Sequence, residues 1–201
     1  MKKKSQHLMA VATPLFLTFL IAHANASLFD YEAVLSGPNE SPPNASPATG
    51  LAFVNYDNVA HTLQVEVTFS GLTGTTTASH IHAATASPGT GTAGVATTTP
   101  YFAGFPIGVT SGSYSNTLDL TLSSSYNPSY ITANGGTTAS AEAALVAAMA
   151  ADEAYLNIHT STFPGGEIRG FLVLVPEPST AALLGVGALA WVWNKKRRKV
   201  T

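Results

Sequence analysis

Four histidines beyond the first 26 residues, His61, His80, His82 and His159, are the side chains best suited to chemistry in this 201-residue chain. His80 and His82 stand one residue apart in a stretch, 76–83, that reads as a strand, so both side chains leave on the same face. Asn157 and His159 repeat that spacing in a second strand-like stretch, 155–160. If those strands lie side by side, three imidazoles converge, and imidazole nitrogen suits copper or zinc. The spacing therefore predicts His80, His82 and His159 as metal ligands and names no fourth. The alternative is a set of hydrogen-bonding histidines at a polar end of the fold. His61 follows the Asn58-Val59-Ala60 turn and is expected to be an exposed loop residue outside the site. Imidazole must be neutral to ligate, so affinity is expected to fall as pH drops through about 6.5.

Arg169 is the lone base between residues 27 and 174, against ten acids, which gives that stretch a net charge of −9. A guanidinium can clamp a carboxylate bidentately, and the sequence offers Glu167 on the same face as its partner. Such an acidic stretch cannot neutralise phosphates, so nucleic acid is excluded as a partner. The chain has no cysteine, which removes disulfides, zinc–thiolate sites and cysteine nucleophiles. It contains no nucleophile elbow, phosphate loop or His-Glu-x-x-His helix. No catalytic residue is assigned.

These residues need strands to position them. Seventeen glycines and twelve prolines interrupt the chain, and between them apolar and polar residues alternate: Tyr31, Ala33 and Leu35; Leu51 and Phe53; Leu63, Val65, Val67 and Phe69. Further strands are expected over 76–83, 91–98, 118–122, 155–160 and 168–175, and one alanine-rich helix over 140–151. About eight short strands with Gly/Pro turns predict an all-β fold, a Greek-key β-sandwich of immunoglobulin-like or superoxide-dismutase-like type with one short helix.

The two ends read as addresses. Residues 1–26 combine Lys2-Lys3-Lys4, a short apolar run and Ala24-Asn25-Ala26, the layout of a cleaved signal peptide. Residues 27–174 form the domain. In 175–201, Pro176-Glu177-Pro178 precedes an apolar run over 180–193 and the basic run Lys195-Lys196-Arg197-Arg198-Lys199, which reads as a thin transmembrane segment with a cytoplasmic basic end.

The order Pro-Glu-Pro, apolar helix, basic tail resembles the PEP-CTERM sorting signal of Gram-negative bacteria. That resemblance implies processing by an exosortase, a precursor in the inner membrane, and delivery to the cell surface or exopolysaccharide matrix. Within the domain, residues 35–43 (LSGPNESPP), Phe69-Ser70-Gly71-Leu72, His80-Ile81-His82, residues 155–160 (YLNIHT) and residues 163–170 (FPGGEIRG) resemble the CHRD domain. Ala83-Ala84 departs from the Gly-Pro that often follows the His-x-His in that family. The family implies a β-sandwich and no established activity. The His-x-His pair, the late histidine and Arg169 also resemble copper-zinc superoxide dismutases, without their cysteines or zinc-binding aspartate. The expected function is an exported, non-enzymatic surface or matrix module. The alternative is a copper- or zinc-binding redox protein.

Overall fold

Alternating side chains build the first three strands: β1 (Leu28–Ser36), β2 (Thr49–Asp57) and β3 (Thr62–Ser70). They pair as an antiparallel meander in unbroken register, from Leu28 opposite Asp57 to Thr49 opposite Ser70. One face buries Tyr31, Ala33, Leu35, Ala52, Val54, Leu63, Val65 and Val67. Each fully buried aliphatic side chain there contributes about 1.5–3 kcal/mol. The β2–β3 turn is held by Asp57, whose Oδ1 accepts from the Val59 and Ala60 amides at 2.8 Å.

The computed structural model describes residues 28–176, and continues with β4 (Thr76–His82), β5 (Gly112–Asp119), α1 (Pro128–Ala133), α2 (Thr138–Ala150), β6 (Tyr155–Thr160), β7 (Ile168–Phe171) and β8 (Val173–Leu174). The strands form one antiparallel sheet in the order β4-β6-β7-β1-β2-β3-β5, with β8 also on β1. The all-β expectation is met by this single sheet, curled as a half-barrel around one apolar core. Helix α2 is the expected alanine-rich helix. It starts at a capping box between Thr137 and Ser140 and buries Leu145 and Met149.

Three stretches differ from their sequence reading. In β2 the core face is taken by Ala52 and Val54, while Leu51 is only partly buried and Phe53 is 41% exposed. Residues 91–98 form no strand but a loop with isolated bridges from Val95 to His82 and from Thr97 to Tyr126. The stretch 118–122 leaves the sheet after Asp119, because Asp119 Oδ1 turns back to accept from the Thr121 amide and hydroxyl. The stretch expected to be a signal peptide, 1–26, the apolar run over 180–193 and the basic tail lie outside the described residues. Among the described residues no helix is long and apolar enough to cross a membrane.

Candidate metal centre

The crossover that carries β4 to the far edge places it beside β6, with His80 opposite Asn157, His82 opposite Tyr155 and Ala78 opposite His159. Pleating then puts His80, His82, Tyr155, Asn157 and His159 on one face, and Ile81, Leu156 and Ile158 on the core face. Strand β7 extends the row, with Arg169 opposite Asn157 and Phe171 opposite Tyr155. This polar face is itself covered: His80 is 6% exposed, His82 8%, Asn157 3% and Arg169 3%.

The three histidines predicted from spacing do come together. One candidate ligand atom from each lies within 4.8 Å of the others. The His80 and His82 ring centroids are 4.6 Å apart, those of His80 and His159 4.8 Å. Each Nδ1 faces a backbone carbonyl: His80 to Pro100 at 3.1 Å, His82 to Ala93 at 2.8 Å and His159 to Pro164 at 2.9 Å. A carbonyl can only accept, so each Nδ1 carries the proton and each neutral ring turns a bare Nε2 inward. His80 Nε2 and His159 Nε2 meet at 3.1 Å, and buried His82 Nε2 has no hydrogen-bond partner.

The rings are held neutral. Burial, then the proximity of His82 and His159, lowers the His80 pKa to about 3. Burial lowers His82 to about 4, the Ala93 carbonyl opposing and His159 and Arg169 assisting. His159 is lowered by burial against the pull of the Pro164 carbonyl. Three neutral nitrogens facing one another, with their other nitrogens tied to carbonyls, form a donor set suited to copper or zinc, with a coordination position left over.

Arg169 borders this set, and its partners differ from the sequence reading. Its Nε donates to Asn39 O at 2.5 Å and its Nη1 to Gly91 O at 2.8 Å, while Glu40 Oε2 stands 3.8 Å from Nε. The guanidinium lies 4.6 Å over the Tyr155 ring, which stacks on His82 at 4.6 Å and 7°. Glu167 is not its partner. The strand begins only at Ile168, and the Glu167 carboxylate is turned to Thr73, Gly74, Ser46 and Thr160. With its fork engaged and 3% exposure, Arg169 is not placed to attract an anion as a dismutase arginine would.

Glu40 escaped the sequence reading because it sits in a proline-rich loop with no periodicity to betray burial. Burial raises its pKa to about 7, against the lowering effects of Arg169, Asn157 and the Ser41 amide. Its Oε1 and Asn157 Oδ1 are buried without hydrogen-bond partners. Both lie where a Cβ on Gly166 would fall, at 2.7 Å, and Gly166 has φ +128, so glycine is required there twice over. His61 is elsewhere, half-exposed, with Nδ1 2.9 Å from Glu142 Oε1, which also accepts from Tyr56 Oη at 2.7 Å. The expected loop residue is thus tied to α2.

A family model described as the CHRD domain matches residues 31–172, and one described as the PEP-CTERM protein-sorting motif matches residues 174–198. No curated protein and no solved structure matches the chain.

Proposed function

Because the chain belongs to the CHRD family and carries a PEP-CTERM sorting motif, we propose that its domain is an exported, non-enzymatic module that holds one copper or zinc ion. The sorting motif makes the protein an exosortase substrate, exported first as a membrane-anchored precursor and then found at the surface or outside a Gram-negative cell. The ion would be held by His80, His82 and His159, and the module would be retained among matrix exopolysaccharide. The observation that carries the reading is the set of three Nδ1–carbonyl hydrogen bonds, which leave three Nε2 lone pairs facing one another. Buried acceptors that face only acceptors are costly, and a cation relieves all three.

Calorimetry of the purified protein with Cu²⁺ and Zn²⁺ tests it. One site is expected, weakened more than about 100-fold by His82→Ala or His159→Ala, beyond what loss of an outer partner does, and unchanged by His61→Ala. Absence of binding at neutral pH refutes the reading. Since burial holds His80 and His82 neutral well below pH 6.5, binding should persist to lower pH than the sequence alone suggests.

A copper-dependent redox role is the second reading, favoured by the coordination position that three nitrogens leave over. Reversible reduction of the copper-loaded protein, with turnover of an added oxidant, would select it. The engaged Arg169 and the −9 charge of the domain weigh against an anionic substrate such as superoxide.

A further inference from the structure

We infer that Arg169 is the positioning residue of the histidine centre, acting on His82 from two sides. From one side it fixes the loop that orients the ring. Nη1 holds Gly91 O at 2.8 Å, and two residues on, Ala93 O receives the His82 Nδ1 proton at 2.8 Å. The same Ala93 donates its amide to Tyr155 Oη at 3.3 Å. From the other side it loads the ring stack: the guanidinium lies over Tyr155, and Tyr155 lies on His82, each at 4.6 Å. Nε meanwhile pins the 37–41 loop through Asn39 O. The lone cation of the domain thus bonds two carbonyls in two loops, instead of pairing a carboxylate end to end. A planar fork can do this and a lysine cannot, because one ammonium on a flexible stem does not reach two divergent acceptors while covering a ring.

The position of Arg169 matters to function through the proposed metal reading, but its test does not need the metal. His80 and His159 take their Nδ1 acceptors from Pro100 and Pro164, outside the stretch Arg169 holds. In the metal-free protein, ¹⁵N-histidine NMR should therefore find all three rings in the Nδ1–H form. Arg169→Lys should lose that preference at His82 and keep it at His80 and His159. Cu²⁺ affinity of the same variant should fall about 10- to 100-fold, the effect of losing an outer partner of a ligand. Should Arg169→Lys not unfold cooperatively, Arg169→Gln, planar and uncharged with two N–H donors, replaces it. An unchanged His82 tautomer, or an equal change in all three rings, overturns the inference. If the wild type binds no metal, the proposed function falls, and the tautomer measurement still decides the role of Arg169.

Discussion

Strands β3 and β6 are both interior strands of one sheet, yet they bury different things. Along β3 the inner face is apolar and the outer face, with Glu66 and Thr68, is open to water. Along β6 both faces are covered: Leu156 and Ile158 enter the core, while Tyr155 and Asn157 enter a second, polar interior closed by the 37–41 and 89–101 loops. An apolar filling there would be cheaper than buried imidazoles, an amide and a guanidinium. A polar interior kept dry in one half only is where the proposed metal site would lie.

The contrast can be broken in graded steps. The largest effect is expected at Glu167, whose buried carboxylate ties the end of β6 to the segments around Ser46 and Thr73 by accepting from Thr73, Ser46 and Thr160. Glu167→Ala should cost about 4 kcal/mol in urea unfolding, because several buried donors lose one acceptor. Burial raises the Glu167 pKa, but those hydrogen bonds outweigh it and hold the group below the usual carboxylate range. Its folded pKa is the lower, so its contribution is present above the unfolded pKa of about 4.3 and is lost as pH falls through the folded value.

Next, Ile158→Ala should cost about 3 kcal/mol, the usual range for a buried aliphatic, while leaving metal affinity within about threefold. A large loss of affinity would mean that the two faces of β6 are not separable. Third comes acid. In the metal-free protein His80 and His82 titrate near 3 and 4, against about 6.5 unfolded. The unfolded chain therefore binds protons first, and stability falls as pH drops below about 6.5. His82 alone should account for about 2 kcal/mol by pH 5, and His82→Leu should flatten the slope by that amount.

Glu40 should act with opposite sign. Its folded pKa, about 7, lies above the unfolded value, so its stabilisation is complete below about 4.3 and lost as pH rises through 7. Glu40→Gln should gain about 1 kcal/mol on going from pH 3 to pH 5, where the unfolded chain ionises and the folded carboxyl does not, read from the same unfolding curves. On the open face of β3, Thr68→Ala should change stability by less than about 0.5 kcal/mol. A larger loss would remove the distinction between the two halves.

The half with open alternation was the more legible from sequence, although in β2 Ala52 and Val54 face the core where Leu51 and Phe53 were expected. Tyr31, Ala33, Leu35 and the Leu63–Phe69 series announced their strands through a period of two, and the His-x-His spacing announced a shared face. The covered half hid its partners. The Arg169–Glu167 pairing failed because the Gly166 turn delays the strand until Ile168. Glu40 lies in a loop whose burial depends on where β7 and the 89–94 loop pass, and no local pattern encodes that. His61 turned toward Glu142, a contact across 81 residues that neither the turn nor the helix predicts alone.

Synthesis order and sheet order part company at β4. Strands β1, β2 and β3 leave the ribosome in the order in which they pair, β1 closing on β2 across the 37–48 loop and β2 on β3 across a short turn. The partner of β4 is β6, which begins only at Tyr155, and pairings of long sequence separation form late. Until then Ile81 has no sheet to cover it, and His80 and His82 have neither His159 nor the Pro164 carbonyl nearby. The half that carries the three histidines is therefore the last to assemble. An ion that needs all three imidazoles can be captured only by a chain already folded through β6, and a chain ending before Tyr155 would keep its meander without ever presenting the site.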